Sequence, residues 1–185
     1  YQKRVIQLGE HPNRVYNVGG MGIENIKRLE LFSKDDFEKA IGFRLNKKNI
    51  LITFHPVTLE NSTAKEQFEE LLSAIDELED TTIIFTKANS DTDGRVINHM
   101  IDAYVGANTH KAISFTSLGQ VKYLSALQYM DAVVGNSSSG LAEAPTFKIG
   151  TINIGDRQNG RIKALSVIDC ETNQYSIEEA FDRLY

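Results

Sequence analysis

The chain has 185 residues, a formal net charge of −5 and 41% apolar residues, enough for one globular domain with a full core and an appended segment. The acidic balance argues against a general nucleic-acid binder, which needs a basic face to neutralise phosphates. The one cysteine, Cys170, excludes an internal disulfide, the apolar runs are too short to span a bilayer, and the absence of a signal-peptide pattern makes a reducing cytoplasm the expected compartment.

Residues 1–8 read as the tail of a helix stopped by Gly9 and Pro12. Arg14 to Val18 reads as a short strand ended by Gly19-Gly20, and Gly22 to Leu31 as a helix with Ile23, Ile26 and Leu29 spaced three apart. Ser33 is suited to cap a further helix through Phe37, Ala40 and Ile41, with Gly42 as its stop. This first quarter has little core of its own. Residues 1–45 are expected to be the end of one domain and a connecting segment, and residues 46–185 a domain proper. Both ends of the chain fall within periodic segments, so a piece of a longer protein is expected.

From Lys47 the pattern becomes regular. Asn49 to Phe54 is a buried-strand run. Asn61 to Glu79 is a helix striped by Phe68, Leu71, Leu72, Ile75 and Leu78, with Thr63 and Glu66 as a capping box. Thr82 to Thr86 is a strand. Asp93 is expected to cap a helix closed by Gly106. Lys111 to Phe115 is a strand, and Ser117 with Gln120 suggests another capping box before Leu118, Val121, Leu124 and Leu127. Ala132 to Gly135 is a strand leading into a serine loop and a short helix that Pro145 should kink or end. Gly150 to Ile154 is a strand, Ser166 to Ile168 a short one, and Ser176 to Tyr185 a helix.

Strand and helix thus alternate about five times, which predicts an α/β, Rossmann-like doubly wound parallel sheet. Ligands of such sheets lie beyond the carboxyl ends of the strands. The residues expected there are His55, then Lys87, Asn89 and Arg95, then Thr116 and Ser117, then Asn136 to Ser138, then Arg157 and Arg161. Cationic and hydrogen-bonding side chains gathered on one rim of an acidic protein point to an anionic, polar ligand such as a nucleotide sugar. No Gly-x-Gly-x-x-Gly follows the first strand and no Walker motif occurs, so neither NAD nor ATP is expected, and no cofactor.

Two loops carry most of that signal. In Gly135-Asn136-Ser137-Ser138-Ser139-Gly140, small residues let the backbone approach an anion, and the following helix start offers free N–H groups. Glu143, one turn on, accepts hydrogen bonds and so suits a sugar hydroxyl. The plainer reading makes Ser137 or Ser139 an N-cap only. Gly155-Asp156-Arg157-Gln158-Asn159-Gly160-Arg161 is the second loop, and arginine grips phosphate through paired hydrogen bonds. His55 directly follows the first core strand, a position that favours donation to a phosphate oxygen or a sugar hydroxyl. Asn89, Asp91 and Asp93 imitate the start of a calcium loop. The closing carboxylate is absent because position 100 is Met100, so no metal is expected.

Phe54-His55-Pro56-Val57-Thr58, Asn89 to Arg95, Gly135 to Gly140 with Glu143, and Gly155 to Arg161 occur in order and with compatible spacing. Together they resemble the second domain of the hydrolysing UDP-N-acetylglucosamine 2-epimerases, and Gln2 to Glu10 resembles the segment leading out of that family's first domain. The resemblance implies a GT-B arrangement, two Rossmann-like domains with substrate in the cleft and UDP mainly against the second. It implies that His55 assists near the diphosphate, that Asn89 and Arg95 lie at the nucleotide, and that the backbone around Ser117 and Leu118 meets uracil. Ser137 and Ser138 are implied to hold phosphate, Glu143 the ribose hydroxyls, and Arg157 the diphosphate. It further implies UDP and a UDP-N-acetylhexosamine as ligands, the first domain as partner, and a homo-oligomer for the full-length protein. The acid/base carboxylates belong to the first domain in that family, so this chain alone is expected not to turn over. A GT-B glycosyltransferase and a non-catalytic nucleotide-sugar sensor are the rival expectations.

Overall fold

The computed structural model describes residues 1–57, 64–88 and 92–185. Among these, six strands form one sheet: β1 (Lys48–Thr53), β2 (Thr81–Thr86), β3 (Ala112–Phe115), β4 (Ala132–Gly135), β5 (Gly150–Ile154) and β6 (Val167–Cys170). Every pairing is parallel, and the order is β3-β2-β1-β4-β5-β6. β1 and β2 are buried along nearly their whole length, which explains why they read as continuous apolar runs rather than alternating ones.

Side chains alternate across β1, so Ile50 and Ile52 serve one face and Leu51 the other. On the first face the sheet packs against α4 (Ala64–Asp76), α5 (Thr92–Ala107) and α8 (Gln174–Leu184), through Phe68, Ile97, Phe181 and their neighbours. On the second it packs against α2 (Met21–Arg28), α3 (Lys34–Ile41) and α6 (Gly119–Leu127), through Ile26, Phe37 and Leu124. The core of the second face therefore includes residues from the leading segment. Tyr129 Oη donates to the Phe32 carbonyl at 2.7 Å, and Phe32 N–H donates to Ser125 Oγ at 2.9 Å. Ser33 caps α3 by accepting from Asp36 N–H at 3.2 Å, and Gly42 ends it in the left-handed region at φ +67°.

Three expectations are corrected. Residues 14–18 form no strand: a 3₁₀ turn spans Pro12–Arg14, after α1 (Gln2–Gln7), and Tyr16 and Val18 stand exposed with no strand beside them to complete a ladder. α5 begins at Thr92, so Asp93 is inside it, and it runs past Gly106 to Ala107. Asn108 provides the stop, its side-chain Nδ2 donating to the Tyr104 carbonyl at 3.1 Å. Ser117 does not cap α6, which starts at Gly119 with Leu118 before it. Gly119 turns the chain at φ +65°, and Ser117 Oγ accepts from Gly119 N–H at 3.1 Å instead. The expected cap at Thr63 lies outside the described residues.

Candidate functional site

The sheet grows outward from β1 through β2 to β3 on one side, and from β4 through β5 to β6 on the other. The two halves part at the carboxyl ends of β1 and β4, the switch point where ligand crevices open in such sheets. Gly135 closes β4 at φ +124°, and a Cβ there would stand 2.1 Å from the Thr53 carbonyl oxygen. Only glycine lets the two strand ends approach this closely.

Asn136 follows and is 1% exposed. Its side chain accepts from His55 N–H at 2.7 Å and donates to the His55 carbonyl at 2.7 Å. Its own carbonyl accepts from Arg157 Nη1 at 3.0 Å and from Gln158 Nε2 at 2.7 Å. The loops after β1, β4 and β5 are thereby tied together at one residue, which brings His55, Ser137 and Arg157 into one neighbourhood.

Beside this knot lies a cavity of about 390 Å³ whose wall includes Thr53, Thr86, Ser117, Leu118, Ser137 and Glu143, within the size range of small-molecule sites. Hydroxyl groups dominate its polar lining, and Thr53 and Thr86 hydrogen bond to each other across the floor. Ser137 caps the short helix α7 (Ser138–Ala142), accepting from Ser139 N–H at 3.4 Å. Ser139 Oγ donates to Glu143 Oε2 and is itself bonded to Tyr123 Oη. A serine has one O–H to give, so the tyrosine must be the donor in that contact. Burial above all pushes the Tyr123 phenol up to about 12; the Glu143 carboxylate adds to the rise and the Ser139 contact opposes it. Tyr123 therefore remains a donor at neutral pH and holds one carboxylate oxygen of Glu143 through Ser139.

Of the residues singled out in the sequence, Ser117, Leu118, Ser137 and Glu143 share the cavity wall. Ser138 opens α7 and is half-buried, and Arg95 is exposed in the first turn of α5. Asn89 lies outside the described residues. Arg157 and Arg161 are exposed in the loop after β5. Lys87, counted among the rim cations, forms an ion pair with Asp102 on α5 at 2.6 Å, so its charge is already matched. A larger groove of about 530 Å³ beside α3, between Asp35 and Arg44, lies away from the strand ends. Tyr123 is the element of the site that the sequence did not single out; Asn136 and Ser139 were placed in the serine loop without the bonds they make here. Among the described residues no cluster of His, Cys, Asp and Glu is placed to hold a metal ion. None of their helices is long and apolar enough to cross a membrane.

This fold and crevice define a Rossmann-like α/β domain of the GT-B kind. The family model described as UDP-N-acetylglucosamine 2-epimerase matches residues 1–185, and the chain belongs to that family. It is 44% identical over 184 residues to a GDP/UDP-N,N'-diacetylbacillosamine 2-epimerase (hydrolyzing) of Campylobacter jejuni, covering 100% of this chain and 47% of that protein. It is 40% identical over 178 residues to the polysialic acid biosynthesis protein P7 of Escherichia coli, covering 96% of this chain and 45% of that one. Among solved structures it resembles a UDP-GlcNAc 2-epimerase of Methanocaldococcus jannaschii in complex with UDP-GlcNAc and UDP, with a TM-score of 0.71, 14% identity, and coverage of 98% of this chain and 51% of that one. The chain thus spans about half the length of the relatives it matches.

Proposed function

We propose that this chain supplies the UDP-binding half of a hydrolysing UDP-N-acetylglucosamine 2-epimerase, which converts UDP-N-acetylglucosamine and water to N-acetylmannosamine and UDP. The observation that carries this reading is the hydroxyl-lined cavity with its pre-bonded Glu143, set beside the Asn136 knot that holds Arg157. The uracil sits against the backbone at Ser117 and Leu118, and the free oxygen of Glu143 accepts from the ribose hydroxyls. Ser137, Ser138 and the exposed fork of Arg157 meet the diphosphate, with His55, Asn89 and Arg95 alongside.

In the reaction the C2 proton is removed and the C1–O bond breaks, its electron pair leaving with UDP, to give a glycal. Water then adds across the double bond. This half stabilises the departing diphosphate by preorganised donors. The carboxylates that move the C2 proton belong to the other half, and residues 1–45 lead out of it. The whole protein is a homo-oligomer in the cytoplasm.

A protein carrying both halves is expected to release N-acetylmannosamine and UDP without any acceptor, which separates it from a glycosyltransferase. The 185-residue chain alone is expected to bind UDP and release none from the nucleotide sugar; UDP release by the chain alone would overturn the division of labour. A second reading of the sugar rests on the 44% identity to an enzyme named for N,N'-diacetylbacillosamine. Turnover of the two nucleotide sugars side by side decides between them.

A further inference from the structure

We propose that Asn136 is the positioning residue for the diphosphate, extending the β1–β4 ladder by one rung so that three anion-facing groups are held in register. The inference rests on the UDP-binding reading above. The backbone register of the two strands ends at Thr53 opposite Gly135, and Asn136 N–H adds one more bond to the Thr53 carbonyl at 3.2 Å. Beyond that point the strands must part to open the crevice. The Asn136 amide bridges the gap, offering His55 a C=O and an N–H as a neighbouring backbone would.

The side-chain chemistry this requires is narrow. An aspartate lacks the donor for the His55 carbonyl and places a charge in a site that is 1% exposed. A glutamine is one methylene too long, and serine or alanine supplies neither arm. The backbone carbonyl of Asn136 is equally committed, because its two lone pairs take Arg157 and the buried Gln158. Asn136 therefore sets the backbone at His55, the entry to the serine loop and the direction of Arg157 at once. It is absent from the wall of the neighbouring hydroxyl-lined cavity. Loss of its side-chain bonds should free the backbone at His55 and the entry to the serine loop while leaving the nucleoside cavity in place.

The test compares UDP with uridine, titrated calorimetrically into the chain and into Asn136→Ala and Gln158→Leu. The wild-type chain should prefer UDP. In Asn136→Ala the two side-chain arms to His55 are lost while the backbone carbonyl that takes Arg157 and Gln158 stays. The preference for UDP should then shrink by about tenfold through the freed backbone at His55 and the loop entry, with uridine affinity held within about twofold. Gln158→Leu removes one of the two donors to the Asn136 carbonyl and should shrink the preference by about threefold. Parallel weakening of both ligands, or an unchanged ratio, overturns the positioning role and leaves Asn136 a structural residue. If circular dichroism shows Asn136→Ala unfolded, Gln158→Leu decides on the same criterion. A wild-type chain with no preference for UDP contradicts the underlying reading, and the inference falls with it.

Discussion

Gly135 presses its Cα against the Thr53 carbonyl, leaving 2.1 Å where a Cβ would meet that oxygen. Both atoms are backbone, so neither can swing aside, and φ +124° is strained for any residue with a side chain. Gly135→Ala should therefore cost at least about 3 kcal/mol, well above a surface substitution. Urea unfolding of the variant measures it, and a loss within the range of ordinary surface changes would show that the strand ends can part freely.

Tyr123, Ser139 and Glu143 form one chain of hydrogen bonds, and groups within one network do not contribute independently. Tyr123→Phe and Ser139→Ala should each weaken UDP binding by about 0.5–1.5 kcal/mol. The double variant should lose less than the sum, because Ser139→Ala already removes the hydroxyl through which Tyr123 reaches the carboxylate. Calorimetric titration of the four proteins completes the cycle; strict additivity would mean that Glu143 is held by other contacts.

Alkaline pH should destabilise the fold. Burial above all pushes Tyr123 up to about 12, from an ordinary value of 10. Burial, then Asp169 and Glu171, pushes the Cys170 thiol up to about 12 from 9. Tyr104 is raised as well, by burial and then by Asp76. The folded state keeps these protons after the unfolded chain has lost them. The stability they contribute is complete below the unfolded values and is lost as pH climbs towards about 12. Urea midpoints should fall across that window, with Tyr123→Phe flattening the fall. Tyrosinate absorbance should show these phenols ionising late, and a constant midpoint would contradict the assignment.

What the amino-acid order made legible was the sheet. Its strands are continuous apolar runs such as Ile50 to Ile52, and its helices carry stripes such as Phe68, Leu71 and Ile75, because burial on both faces leaves that imprint. Ser33 and Gly42 likewise announced α3. The failures were local and long-range. Arg14 to Val18 has strand composition but finds no partner strand, so propensity alone could not decide it. Gly119 displaced a cap whose residue types were right. Asn136 was expected to face a ligand and instead binds His55, and Tyr123 was not singled out, because their roles depend on partners far along the chain. Asn136 meets His55 81 residues away, and Tyr123 meets Ser139 16 residues on. The ion pair that occupies Lys87 was hidden for the same reason.

The most direct measurement is a calorimetric titration of UDP into the chain and into Arg157→Ala. Arg157 spends one donor on the Asn136 carbonyl, and the rest of its exposed fork is available to an anion. Charge-assisted contacts of that kind are worth about 1.5–3 kcal/mol, so the variant should bind UDP roughly tenfold or more weakly. That result places the diphosphate at the switch point between β1 and β4. Equal binding by the two proteins, or none by either, would contradict the account.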